Sequence, residues 1–131
     1  MEDNFKLKII SPEKIIFSDN ATMVTLPSYE GDMGVLKHHI SIIILLRPGI
    51  IKIQKNDGNF EEFFVQDGTV EYFNDSLVVL SASVINVKNI SKEFLDSLNK
   101  DTQDKLAGKN ITDHDRYMLN HKLDLIKEIR V

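Results

Sequence analysis

From Phe5 to about Val87 the chain is a series of short apolar runs, each broken within a few residues by glycine, proline, asparagine or aspartate. That rhythm limits the fold more than any other feature. Parallel strands need crossover connections of a dozen or more residues, usually helical, and these runs stand too close together for that. Closely spaced short strands between turn residues predict a sandwich or barrel rather than a βαβ arrangement.

The individual runs can be placed. Phe5, Leu7 and Ile9 alternate with Lys6 and Lys8, the period-2 pattern of a half-buried strand. Ser11-Pro12 ends it, Ile15-Ile16-Phe17 restarts it, and Ser18-Asp19-Asn20 reads as a turn. Met23 to Leu26 reads as a strand closed by Pro27. Ile40 to Leu46 is a strand too apolar to have a wet face. Pro48-Gly49 suits the centre of a type II turn, with Gly49 at positive φ. Asn56-Asp57-Gly58-Asn59 suits a primed hairpin turn. Phe60, Phe63, Phe64 and Val65 form the return strand, Gly68 precedes Val70 to Phe73, Asn74-Asp75-Ser76 turns, and Leu77 to Val84 closes the series.

Between Met23–Leu26 and Ile40–Leu46 lies Pro27-Ser28-Tyr29-Glu30-Gly31-Asp32-Met33-Gly34-Val35-Leu36. Gly31 and Gly34 allow a tight turn. Unpaired acids are expelled from an interior, so Glu30 and Asp32 are expected to face solvent or a partner, with Met33 exposed between them as an adaptable apolar contact.

After Asn89 the pattern changes to helical spacing. Ser91 is an N-cap, Phe94, Leu95, Leu98 and Leu106 follow, and Gly108 marks a stop. Thr112-Asp113-His114-Asp115 has the form of a capping box, with Asp in the place of Glu or Gln. Met118, Leu119, Leu123, Leu125, Ile126 and Ile129 then make an apolar stripe. The link from Gly108 to Ile111 is short enough to make the two helices antiparallel neighbours. The fold expected is an N-terminal β-sandwich over residues 1–87, then a C-terminal antiparallel two-helix hairpin over 88–131.

Composition narrows the function classes. With 131 residues, a net charge of −4 and no cysteine, the chain has neither the basic balance of a nucleic-acid partner nor disulfide or thiol chemistry. No apolar run approaches the ~20 residues that cross a bilayer, so direct membrane insertion is not expected. Candidate chemistry is thin. His38 and His39 with Asp32 would make a metal site only if neighbouring strand residues shared a face, which they do not. Ser41 with His39 lacks the strained elbow of a hydrolase nucleophile. Glu61 and Glu62 alternate faces, and His114 and His121 stand two helical turns apart without carboxylate support. No catalytic residue, cofactor or metal is expected.

Taken together, Leu26 to His39 and then Leu46-Arg47-Pro48-Gly49-Ile50-Ile51-Lys52-Ile53 resemble the epsilon subunit of bacterial-type rotary proton-translocating ATP synthases. The pattern is an acid-Gly-acid-apolar-Gly turn, a histidine a few residues on, and a basic-Pro-Gly start to the next strand. Ser11-Pro12 with Phe17-Ser18, Glu61-Glu62-Phe63-Phe64, Gly68 before Val70-Glu71, and Val78-Val79-Leu80 with Ala82 extend the likeness.

The resemblance implies a non-catalytic central-stalk subunit linking the gamma subunit to the membrane c-ring. It would be peripheral, on the cytoplasmic face of the inner cell membrane, and held there through the complex. Glu30, Gly31, Asp32, Met33 and Gly34 would meet the c-ring, and Leu36, His39 and Ser41 would face gamma or that same base. It also implies a hairpin able to reach the catalytic alpha/beta hexamer and inhibit hydrolysis through basic residues, here Arg116, Lys122, Lys127 and Arg130. Asp113, Asp115, Asp124 and Glu128 offset that charge. The family's ATP motif at the start of the first helix is missing from Ile90-Ser91-Lys92-Glu93-Phe94-Leu95, so ATP binding is not expected. The competing reading is a free-standing β-sandwich that binds a ligand through aromatics grouped on one face. Phe60, Phe63, Phe64 and Phe73 fit core positions better.

Overall fold

The computed structural model describes residues 3–129. Ten strands are followed by two helices, and the chain divides into two compact units, one ending at Val87 and the other beginning at Lys88. The expected β-sandwich and the two C-terminal helices are both present.

The strands are β1 Phe5–Ile10, β2 Ile15–Ala21, β3 Met23–Ser28, β4 Gly31–Leu36, β5 Ile42–Leu46, β6 Gly49–Gln54, β7 Phe60–Val65, β8 Gly68–Phe73, β9 Ser76–Leu80 and β10 Val84–Asn86. They join in the order β10-β7-β6-β3-β5-β8-β9-β1-β2, with β4 paired to the other edge of β3. All pairings are antiparallel except β1 with β9.

Strand β3 is the corner of this path. Its first half, Met23–Thr25, pairs with β6, and its last residue, Ser28, pairs with Leu46 of β5. The sheet therefore folds over on itself at Pro27. Strands from opposite ends of the path meet across the interior, where the rings of Phe17 (β2) and Phe63 (β7) stand edge to face at 5.5 Å. Leu7, Ile9, Val24, Leu26, Leu46, Ile51, Ile53, Val65, Leu77 and Val79 line the core with almost no solvent contact. Each comes from the inward half of a period-2 pattern.

Several sequence expectations are corrected here. Pro27 lies within β3, because only its carbonyl is used at the corner, where it accepts the Arg47 N–H at 2.9 Å. Gly49 is not at positive φ. A side chain there would place its Cβ 2.3 Å from Cβ of Pro27, so the residue is glycine for close approach at the corner. Ser18-Asp19-Asn20 continues β2, an edge strand whose exposed side tolerates polar residues, and Asp19 meets Lys55 at 3.6 Å.

The Asp57-Gly58 turn is a three-residue loop rather than a primed turn. Only Gly58 has positive φ, and Lys55 and Asn59 close it, the form of a type I turn followed by a bulge. The primed turn falls at Asn74-Asp75, both left-handed, between paired Phe73 and Ser76. Strand β9 stops at Leu80, and Val84–Asn86 crosses to pair with β7.

In the second unit, α1 (Lys92–Leu106) starts at the predicted N-cap Ser91, whose hydroxyl accepts the Phe94 N–H at 3.0 Å. It ends at Ala107, and Gly108 follows without a left-handed φ. Helix α2 (Asp113–Glu128) opens with the predicted capping box between Thr112 and Asp115. The two helices pack on each other, with Leu95, Leu119, Leu125 and Ile126 buried. None of the described helices is long and apolar enough to cross a membrane.

Candidate functional site

The acid- and glycine-rich segment is a hairpin whose turn is Tyr29-Glu30, with Gly31 to Leu36 forming β4. Gly31 has φ 120°, which strains any residue with a side chain. Glu30 and Asp32 are exposed, as expected. Met33 is not. Alternation along β4 turns Gly31, Met33 and Val35 inward, and Met33 packs half-buried against the core. The outward set is Asp32, Gly34 and Leu36. A Cβ on Gly34 would touch the Met23 terminal methyl at 3.0 Å.

Arg47 stiffens this tip from beneath. Its side chain is mostly buried, its Nε donates to the Ser28 carbonyl at 2.8 Å, and a terminal nitrogen lies 3.5 Å from Asp32 Oδ1. The Ser28 hydroxyl donates to the Gly31 carbonyl across the turn. Asp32 itself remains largely in solvent.

His38 and His39 lie in a turn after β4, not on a strand as the sequence reading assumed. The His39 N–H donates to the Leu36 carbonyl at 3.2 Å, and His38 is left-handed at φ 67°. Asp75, in the β8–β9 turn, holds this segment. Its Oδ1 accepts the His38 N–H at 2.8 Å and the Tyr72 hydroxyl at 2.8 Å, while Oδ2 lies 3.4 Å from His38 Nδ1.

Chiefly because of the His38 N–H, the Asp75 carboxyl titrates below its ordinary value. The Tyr72 phenol is pushed up to about 12, first by burial and then by its bond to Asp75. The His39 ring stands edge to face with Tyr72 at 5.7 Å, and its Nδ1 donates to the Ile40 carbonyl at 2.7 Å. Among the described residues, no three histidines or carboxylates are grouped to hold a metal ion.

The largest departure from expectation is β5, which has a wet face. Ile40 is 76% exposed, Ile43 74% and Phe73 63%, and Leu45 and Leu80 are also more than half exposed. Residues paired across an antiparallel ladder share a face. Register therefore sets Ile43 beside Glu71 and Val78, and Leu45 beside Thr69 and Leu80. Phe73, two residues from Glu71, joins the same face.

Open grooves run along this strand. One, of about 420 Å³, lies among Ser41, Ile43 and Phe73. A second, of about 360 Å³, is lined by Tyr29, Glu30, Met33 and Leu45. A third, of about 370 Å³, touches Tyr29, Leu45 and Leu80. Through Tyr29, Glu30 and Leu45 the acidic tip and the apolar rows form one continuous surface.

Of the residues expected at the site, Glu30, Met33 and Ser41 line these grooves, whereas Asp32, Gly34 and Leu36 lie on the other face of β4 from Met33, and His39 packs on the Tyr72 ring. The sequence reading missed Arg47, Tyr72, Asp75, Ile43, Leu45, Phe73 and Leu80. One signal for β5 was present: the run is apolar at every position, while Thr69 and Glu71 on its partner strand mark an outward face. In the helical unit Arg116 and Lys127 are exposed, Lys122 is half-buried, and Arg130 lies outside the described residues. Tyr117 and His121 form an edge-to-face pair at 4.3 Å.

Residues 4–87 match the family model of the ATP synthase delta/epsilon chain β-sandwich domain. The chain is 40% identical over 130 residues to an ATP synthase epsilon chain of Pelagibacter ubique, covering 98% of this chain and 99% of that one. It is 31% identical to that of Parvibaculum lavamentivorans over 134 residues, covering 99% and 98%. Among solved structures, a chain of the Euglena gracilis mitochondrial ATP synthase shares the fold. Its TM-score is 0.75 at 17% identity, with 97% of this chain and 79% of that one covered. A central-stalk/c-ring structure of the Tetrahymena thermophila mitochondrial ATP synthase contains another, with a TM-score of 0.65 at 14% identity, covering 94% and 93%.

Proposed function

The chain belongs to the ATP synthase delta/epsilon family as an epsilon chain, a non-catalytic stalk subunit, and from that premise we propose that it couples rotor parts through the surface just described. The apolar rows of β5, β8 and β9 pack against the gamma subunit. The tip at Glu30, Gly31 and Asp32, with Met33 and Gly34 behind it, meets polar loops of the c-ring. Leu36, His39 and Ser41 border both contacts.

One observation carries this reading: a contiguous exposed apolar face runs into an acidic, internally braced turn. Exposed apolar patches of that kind mark partner surfaces, and a rotor joint needs more than the ~1,000 Å² of a specific interface. Exposed carboxylates at a stiff turn can accept charge-assisted hydrogen bonds from basic loops. Among the described residues Phe60 and Phe73 are exposed, not in the core positions expected of them, but they lie on strands that are not neighbours, which does not favour an aromatic ligand platform.

The subunit works within a membrane-bound complex, and we place it peripherally on the cytoplasmic face of the inner membrane. Around α2 the charges of Arg116, Lys122, Lys127 and Arg130 are balanced by Asp113, Asp115, Asp124 and Glu128. That balance supports coupling as the main role and puts inhibition through the alpha/beta hexamer second. No ATP site is proposed, and micromolar ATP affinity by calorimetry would overturn that.

The test uses membranes whose complex lacks this subunit. Adding the native chain restores ATP-driven proton pumping. Asp32→Arg binds but pumps poorly, and Ile43→Asp binds at least about tenfold more weakly, the loss of one buried apolar anchor. Both variants pumping like the native chain would refute the assignment of this surface.

A further inference from the structure

The segment from Lys37 to Ser41 links β4, which carries the acidic tip, to β5, which carries the apolar rows. Its shape decides how Leu36 and Ile40, both strongly exposed, stand relative to those two strands. At its centre His38 has φ 67°, a conformation that glycine adopts freely and a residue with a side chain resists. Something must hold it there.

The group that does so lies 37 residues further on. Asp75 Oδ1 takes the His38 N–H at 2.8 Å, and the same oxygen takes the Tyr72 hydroxyl at 2.8 Å. Asp75 is anchored in turn. It sits in the left-handed Asn74-Asp75 turn, and its carbonyl accepts the Lys6 N–H at 3.1 Å. Tyr72 is buried, and its ring supports His39 edge to face. One residue thus ties three segments together: its carbonyl holds β1, and its carboxylate joins the end of β8 to the β4–β5 connection.

We propose that Asp75 is a positioning residue for rotor coupling: it latches His38 in its left-handed conformation and so fixes the β4–β5 connection in the shape that its partners bind. The inference rests on the coupling role proposed above. Asp75 itself need not touch gamma or the c-ring. It acts through the backbone of His38.

The latch can be tested by removing the need for it. Glycine at position 38 adopts positive φ without help, so His38→Gly should bypass the loss of Asp75. Four proteins are compared for binding to purified ATP synthase depleted of this subunit: native, Asp75→Ala, His38→Gly, and the double variant. Native binding tests the coupling role, and the variants test the latch. Asp75→Ala is expected to bind about tenfold more weakly, the scale of one hydrogen bond to a charged group. His38→Gly is expected to bind like the native chain, and the double variant to recover most of the loss.

Asp75→Ala binding as tightly as the native chain would overturn the proposal. So would a double variant no better than Asp75→Ala alone, since a general structural role for Asp75 would not be rescued at His38. Should Asp75→Ala fail to fold, hydrogen exchange on the native chain decides. The His38 amide, beside an exposed side chain, is expected to be strongly protected, and exchange at the rate of an open loop would refute the latch.

Discussion

The two units of this chain bury their apolar side chains very differently. In the strand unit Leu7, Ile9, Val24, Leu26, Ile51, Ile53, Leu77 and Val79 have no measurable solvent exposure. In the helical unit Leu95, Leu119, Leu125 and Ile126 each keep 7–8%, and the most buried helical residue is a threonine, Thr102, whose hydroxyl donates to the Leu98 carbonyl. The first unit has a complete core, held by ladders between residues far apart in sequence. The second relies on capping and a thin apolar seam, and in proteins most helical stability comes from such packing rather than from propensity. The proposed coupling surface thus lies on the unit with the closed core, and the helices form the unit that is more easily altered.

The sharpest way to break this comparison is a matched pair of truncations. Leu7→Ala removes side-chain atoms from a closed core and is expected to cost about 3–5 kcal/mol. Leu119→Ala in α2 is expected to cost about 1–2 kcal/mol, because the seam can relax and solvent is near. Chemical denaturation followed by far-UV circular dichroism measures both. Equal losses would mean that the two units are equally well packed.

Gly49→Ala sharpens the account of the strand unit at its corner. The added methyl would sit 2.3 Å from Cβ of Pro27, and backbone must move to admit it. The expected cost is about 1–3 kcal/mol, that of overpacking a closed site. Gly58→Ala serves as the control, since nothing lies within 4 Å there and only its positive φ resists the change. If the two substitutions cost the same, close approach at the corner is not what position 49 requires.

Much of the strand unit could be read from the chain because period-2 alternation is written locally, as in Phe5-Lys6-Leu7-Lys8-Ile9. The capping box at Thr112 was equally legible, since its partners stand three residues apart. The errors share a physical cause. Pro27 and Gly49 are explained by a corner that exists only once β3 has exchanged β6 for β5.

Strand β5 misled because a strand buried on both faces and a strand whose outer face awaits a partner have the same apolar sequence. Met33 was misplaced because the turn was read across the whole glycine-rich segment, whereas it occupies only Tyr29-Glu30 and leaves β4 to alternate. The acidic pair Glu30 and Asp32 was placed correctly, since charge alone sends it outward. Arg47 and Asp75 left no local trace. Each acts on backbone groups 19 to 37 residues away.

The smallest expected effect concerns acid, and it separates the units by where each responds. Asp75 is held below its ordinary value of 3.8, first by the His38 N–H and then by the Tyr72 hydroxyl. Its ionised form is therefore favoured more strongly in the folded chain than in the unfolded one. A group of that kind adds stability that is fully present above its unfolded value. The contribution fades as pH falls below about 3.8 and through the lower folded value.

Asp57, held down by the Asn59 N–H in the β6–β7 turn, follows the same sign. Both groups are solvent-facing, so screening keeps each contribution modest. Thermal melts of the native chain and Asp75→Asn are expected to differ most near neutrality and to converge as pH drops below that point. Over the same range, protection from hydrogen exchange, relative to the intrinsic rate at each pH, is expected to be lost first at His38, while the amides of α1 and α2 stay protected. A gap between the two melts that persists unchanged at low pH would mean that Asp75 steadies the chain without its charge. Simultaneous loss of protection in the helices would mean that acid does not act first on the β4–β5 connection.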